Sequence, residues 1–197
     1  MKTESEIIQI ARKTLQLEAE AITGLANSIN NDFSVIINTI LQLKGRVIVT
    51  GIGKSAIIAQ KIVATFNSTG TPSIFMHAAD AIHGDLGIIQ NEDLVICISK
   101  SGNTPEIKIL VPFLKQSGTI LIGMTGNCDS YLAKQADYVL DTTVQKEACP
   151  NNLAPTTSTT AQIAMGDALA VCLLECRQFS SEDFAKYHPG GSLGKRS

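Results

Sequence analysis

The sequence contains no tryptophan, and aromatic residues fill only 5% of its 197 positions. A base-stacking surface for single-stranded nucleic acid needs such rings, so their scarcity argues against one. No sign of charge dominates: 16 Lys and Arg stand against 18 Asp and Glu, for a net charge of −2. There is accordingly no basic footprint for nucleic acid or for an anionic membrane. Cysteine is sparse, and Cys97, Cys128, Cys149, Cys172 and Cys176 include no CxxC pair. That odd set fits neither a disulfide framework nor a zinc knuckle. Cys172 and Cys176, one helical turn apart in an apolar stretch, read as small core residues. Three histidines without acidic residues at ligand spacing give no protein-built metal site. The opening MKTESEIIQIARK has neither the apolar region nor the cleavage site of a signal peptide, and no run of ~20 apolar residues indicates a membrane span. The expectation is a cytoplasmic chain with neither nucleic acid nor membrane as partner.

What is present is aliphatic. Apolar residues make up 44% and charged residues 17%, a balance that excludes disorder. A chain of this length hides roughly 70% of its unfolded surface and reads as one structural domain. Residues 4 to 29 place Ile7, Ala11, Leu15, Ala19, Ile22, Leu25, Ala26 and Ile29 at helical spacing. Asn31 or Asp32 is positioned to cap a second helix through about Leu43. Residues 1–45 thus form helices that pack on the domain and offer surface to another subunit. From residue 46 the pattern changes to short β-branched runs: Arg46–Gly51, Ser73–Met76, Leu94–Ser99, Thr119–Met124 and Tyr138–Leu140. Helix-length segments Ser55–Ser68, Pro105–Gln116 and Ser130–Gln135 alternate with them. Unbroken apolar strands between helices predict an α/β, doubly wound parallel sheet covered on both faces. Thr157–Arg177 closes the core as a long helix, and Ser180 or Ser181 is placed to cap a short last one.

Ligands of such sheets bind beyond the carboxyl ends of the strands. After the first strand stands Gly51-Ile-Gly-Lys-Ser55. It is not a P-loop, because Ile48 stands where GxxxxGK[ST] needs glycine, and Ala56 spoils GxGxxG. What remains is a tight turn with Gly53, Lys54 and Ser55 at a helix N-terminus, which makes a modest anion site. After the third strand comes Ser99-Lys-Ser-Gly-Asn-Thr104, followed by Pro105 and Glu106. Three hydroxyls, Gly102 letting backbone N–H groups approach, and a Pro-started helix suit a phosphate. A second hydroxyl cluster, Thr156–Thr160 with Thr157 and Ser158, opens the long helix. Acid and base candidates are Glu106, Glu147 and the histidines; His83 and His188 sit beside glycine or proline in loops, where side chains serve sites more often than cores. Read by themselves, each of these residues could also be an ordinary surface or capping residue.

SxSGxT after the third strand resembles the sugar-isomerase (SIS) domain. GIGKS, TFNSTGTPSIFMHAADAIHGDLG, SKSGNTPEI, KEACPNNLAPTTSTTA, MGDALAV and HPGGSLGK are similar, more narrowly, to the arabinose-5-phosphate isomerases of that family. The resemblance implies a single SIS domain over residues 46–197, with a five-stranded parallel sheet in a flavodoxin-like, three-layer arrangement. It implies interconversion of D-ribulose 5-phosphate and D-arabinose 5-phosphate through an enediolate, feeding 3-deoxy-D-manno-octulosonate (Kdo) synthesis for lipopolysaccharide or capsule. The alternatives are another phosphosugar isomerase or a non-catalytic phosphosugar sensor. The catalytic set carried over by position is Lys54, Glu106, Glu147 and His188. The substrate and phosphate set is Gly53, Ser55, His83, Ser99, Ser101, Gly102, Thr104, Thr157 and Ser158. Lys100 receives no chemistry, since relatives carry other polar residues there. No cofactor or metal is implied, and the family suggests a homotetramer with sites between subunits. Many relatives carry a CBS pair after GxLG(K/R), which the 197-residue chain is expected to lack. Feedback by a nucleotide-activated octulosonate would then act in the cleft itself.

Overall fold

The computed structural model describes residues 1–189, so most of the HPGGSLGK match lies outside the described residues. Five strands, β1 (Val47–Gly51), β2 (Ser73–His77), β3 (Leu94–Ser99), β4 (Ile120–Thr125) and β5 (Tyr138–Asp141), form one parallel sheet. Its order β2-β1-β3-β4-β5 places the point where the winding reverses between β1 and β3. Strand bounds fall within one residue of those read from the β-branched runs.

Side-chain alternation divides the core. Val47 and Val49 of β1 and Leu94, Ile96 and Ile98 of β3 face α2 (Asn31–Gln42), α3 (Lys54–Ser68) and α7 (Thr157–Cys176). Ile48, Val95, Cys97 and Leu121 face the other way, against α4 (Ala78–Ala81), α5 (Pro105–Gln116) and α6 (Tyr131–Gln135). Burying each such side chain stabilises the fold by about 1.5–3 kcal/mol. Gly166 of α7 lets that helix close on α3, since a Cβ there would sit 2.5 Å from Ile62.

Several expectations need correction. The cap of α2 is Asn30, whose Oδ1 accepts from the N–H groups of Asp32 and Phe33; Asn31 and Asp32 already lie within the helix. The apolar stripe of α1 (Glu4–Leu25) is largely exposed, Leu25 being its one buried residue, while Ile7, Leu15 and Ile22 face outward. It is tied to the domain at its C-terminal half, where Thr160 donates to Glu18. Of the two α7 cysteines, Cys172 is half-buried but Cys176 is exposed in the last turn. α7 is also long and apolar enough to cross a membrane by length and composition. Its place is nonetheless in the core, where Ala161, Met165, Leu169 and Leu173 are buried against the sheet. At its far end Arg177 donates to Thr71, just before β2, so α7 runs the full height of the sheet. From there Ser180 caps α8 (Ser181–Tyr187) in a reciprocal box with Asp183.

Candidate active site

A cleft of about 310 Å³ opens at the carboxyl ends of β1 and β3. Its lining includes Lys54 and Ser55 from the start of α3, and Ser99, Lys100, Ser101 and Thr104 from the β3–α5 loop. Pro155, Ser158, Thr159 and Gln162 close it from the start of α7.

The β3–α5 loop is held from beneath. Gly102 has φ +62°, and a Cβ there would lie 2.1 Å from the Ser130 hydroxyl, so only glycine fits. The Lys100 carbonyl accepts from Gly126 N–H at 3.0 Å and from Thr125 Oγ1 at 3.3 Å. Asn103 Oδ1 accepts from Tyr131 N–H, and the Gly102 carbonyl from Leu132 N–H. The loop is therefore fixed by the β4–α6 connection and aims the N-terminus of α5 at the cleft, where its free N–H groups and dipole favour an anion. Thr104 stands at the N-cap of α5 without capping it; its buried hydroxyl has no partner among the described residues. Gly53, exposed with φ +58°, makes the corresponding turn ahead of Lys54.

Glu147 lies behind this wall with its side chain 0% exposed. Its two oxygens have different surroundings. Oε2 accepts from Thr156 N–H (2.8 Å), Thr156 Oγ1 (3.2 Å) and Ser158 N–H (3.1 Å), so it caps α7 from within the connection that leads into that helix. Oε1 accepts from Ser158 Oγ (2.5 Å) and from Lys100 Nζ (2.6 Å), both of which line the cleft. Burial alone would raise the pKa of this carboxyl. The donors, Lys100 first among them, outweigh it and pull the value down to about 2.

Of the sequence-derived site residues, Lys54, Ser55, Ser99, Ser101, Thr104 and Ser158 line the cleft, and Glu147 backs it. Glu106, half-buried in the first turn of α5, does not line it. Neither does His83, exposed beyond α4, nor His188, whose ring stacks on Phe184 at 3.8 Å while Nδ1 meets the Phe184 carbonyl. Thr157 faces a separate hollow shared with Leu17, Glu20 and Lys146, because one step along a helix turns a side chain by about 100°. Sequence reasoning missed Lys100 and Gln162. Lys100 is the one charged residue from Leu94 to Thr104, a cation inside a hydroxyl loop. Gln162 is a polar residue in an otherwise apolar run, and its buried Oε1 has no hydrogen-bond partner among the described residues although the residue lines the cleft. Among the described residues, no three His, Cys, Asp or Glu side chains converge as a metal site would require.

Comparison with known proteins places this geometry. A model of the SIS domain matches residues 40–172. Arabinose 5-phosphate isomerase KdsD of Pseudomonas aeruginosa is 50% identical over 196 residues, covering 100% of this chain and 60% of that protein. Arabinose 5-phosphate isomerase KpsF of Escherichia coli O6:H1 (strain CFT073) is 50% identical over 191 residues, covering 96% and 58%. The chain thus spans about three fifths of the length of these curated relatives. A protein of E. coli CFT073, solved in complex with arabinose 5-phosphate, superposes with TM-score 0.92 at 39% identity, covering 95% of this chain and 100% of that one.

Proposed function

The chain belongs to the SIS domain family, and from that premise we propose that it is an aldose–ketose isomerase interconverting D-ribulose 5-phosphate and D-arabinose 5-phosphate. The observation that carries this reading is the pairing, across one cleft, of a hydroxyl-lined helix N-terminus with a carboxylate and two ammonium groups. The names of the relatives and the arabinose 5-phosphate held by the E. coli structure support the same substrate.

In this scheme the phosphate rests on Ser99, Ser101, Thr104 and the N-terminus of α5, with Ser55 and Gly53 at the α3 turn. The orphaned Gln162 carbonyl accepts only, so its partner is a sugar hydroxyl rather than a phosphate oxygen. The chain of the sugar therefore runs from α5 towards α7. Glu147 takes the C1 proton of the ketose as base, and the resulting carboxylic acid returns it at C2. Lys54 stabilises the enediolate oxygens, so no cofactor is needed for charge. Glu106 orients or assists His188, and Thr157, which faces the separate hollow, stays outside the sugar contacts. His188 handles hydroxyl protons from a neighbouring subunit, with His83 at the rim. The placement of His188 outside the lining of its own cleft and the exposed isoleucines of α1 support a homotetramer with shared sites. The product would feed Kdo synthesis for lipopolysaccharide or capsule in the cytoplasm, and a nucleotide-activated octulosonate would compete for the same cleft.

The test is to incubate the purified chain with ribulose 5-phosphate and resolve the products. Arabinose 5-phosphate is expected, with unphosphorylated ribulose and hexose phosphates turned over far more slowly. Equal turnover of unphosphorylated ribulose, or no arabinose 5-phosphate, overturns the proposal.

A further inference from the structure

A carboxylate held at a pKa of about 2 is a weak base near neutrality, and Lys100 is the one cation bonded to it among the described residues. We infer that Lys100 is a positioning residue whose ammonium covers Glu147 Oε1 before substrate arrives and passes to the phosphate of an incoming sugar, uncovering Glu147 as the base. This deepens the isomerase reading and rests on it.

Three features of the geometry support the transfer. The Lys100 backbone is fixed through its carbonyl, so its side chain can change partner while the loop stays in place. That side chain is 45% exposed and lines the same cleft as the phosphate-binding hydroxyls. Glu147 keeps four other donors, so the carboxylate remains in position when the ammonium leaves. The oxygen then exposed is Oε1, the one whose donors line the cleft, while Oε2 stays committed to the helix.

Charge gives the direction. A phosphate dianion on the β3–α5 loop attracts an ammonium more strongly than a single carboxylate does, and its field disfavours the Glu147 anion nearby. Both effects raise the proton affinity of Glu147 when substrate arrives. The other charged groups around the site are Lys54 across the cleft, Glu106 in α5, Lys146 beside Glu147 in sequence, and Glu18 and Glu20 on α1 near the start of α7. None of these is bonded to the Glu147 carboxyl. The proton taken from C1 bonds to Oε1 as the C1 electron pair enters the enediolate, and its return at C2 restores the carboxylate.

The test follows the Glu147 carboxyl carbon by NMR between about pH 4 and pH 8, with the signal assigned by its loss in Glu147→Gln. In the wild type without ligand, no titration is expected in this window; with saturating inorganic phosphate, a titration should enter it. Lys100→Met should titrate near the ordinary glutamate range with or without phosphate, and Lys100→Arg should restore the depressed value. In turnover, Lys100→Met should raise KM at least several-fold and lose most of the response of the carboxyl to phosphate. A Glu147 signal indifferent to phosphate in the wild type overturns the inference and requires no variant to fold. So does a Lys100→Met signal that stays depressed. If the carboxyl responds as expected but ribulose 5-phosphate is not isomerised, the coupling stands and the isomerase reading fails.

Discussion

Among the described residues two carboxylates are buried, and each is paired with a cation 47 positions earlier in the chain, yet they serve opposite ends of the sheet. Asp93 stands just before β3, with its side chain 1% exposed, and Arg46 just before β1. Arg46 covers both oxygens, with Nε to Oδ1 at 3.2 Å and a terminal nitrogen to Oδ2 at 2.7 Å. The backbone N–H groups of Arg46 and Gln90 complete the set. Burial raises the Asp93 pKa, but these donors prevail and hold it below the ordinary range. Glu147, at the other end of the strands, meets its cation at one oxygen only. A guanidinium fork that occupies both oxygens, on a side chain only 29% exposed, makes a staple between neighbouring strands. A single half-exposed ammonium makes a contact that can be exchanged. The difference teaches that a buried ion pair is assigned a role by its cation's geometry and surroundings, not by its burial.

Substitutions sharpen or break this contrast. Glu147→Gln keeps the shape but turns one accepting oxygen into a donor and removes the proton acceptor, so turnover should fall by roughly 10²–10⁴-fold with little change in binding. A near-normal steady-state rate would move the base elsewhere, to Glu106 first. Arg46→Met should cost about 3–5 kcal/mol of stability in denaturant unfolding, since it strands a buried charge. The folded fraction should retain its activity. Lys100→Met should cost less stability than Arg46→Met, since four other donors still hold Glu147, and a loss equal to that of Arg46→Met would erase the distinction.

The acid side offers a third comparison. The folded pKa of Glu147 lies below its ordinary 4.5, so its stabilising contribution is present above that value and lost as pH falls towards about 2. Unfolding free energies of Glu147→Gln should therefore decline less steeply over that interval than those of the wild type. Parallel slopes would show that the carboxyl is not depressed.

Smaller effects belong to the ligand. Ser101→Ala removes one donor to a charged oxygen and should weaken phosphosugar binding by about 1.5–3 kcal/mol, read as a rise in KM. Gln162→Leu should cost about 0.5–1.5 kcal/mol in kcat/KM through one neutral hydrogen bond to the sugar. Inorganic phosphate inhibition should be unchanged in that variant, since Gln162 is assigned to the sugar and not to the anion.

The strands, their parallel arrangement and the hydroxyl loop are legible in the sequence because each is a local pattern. β-branched runs end in Gly51 and Ser99, and Pro105 opens α5 directly after the loop. The pairing of Lys100 with Glu147 is not legible there. It joins the loop after β3 to the connection after β5, which meet because that connection leads back to α7 over the β1–β3 opening, an arrangement that no local window contains. Gln162 is hidden for the reverse reason, since it falls within a helix whose period marks it as one more core position. The outward stripe of α1 is legible only in part, because helical spacing shows that a face is apolar and not what covers it.

The fit of Gly102 against Ser130 bears on transplanting the loop. A designer who copied Ser99–Thr104 onto another parallel sheet would carry its hydroxyls and its helix start but lose the shelf beneath them. Ser130, Thr125, Gly126 and the Tyr131 and Leu132 amides all come from the adjoining connection. The heritable unit is therefore two consecutive strand–helix junctions, separated by an entire helix in sequence. A lineage can vary the rest of the rim freely, but an insertion between Thr125 and Ser130 would dismantle the anion site from below while leaving every residue of the SxSGxT motif in place.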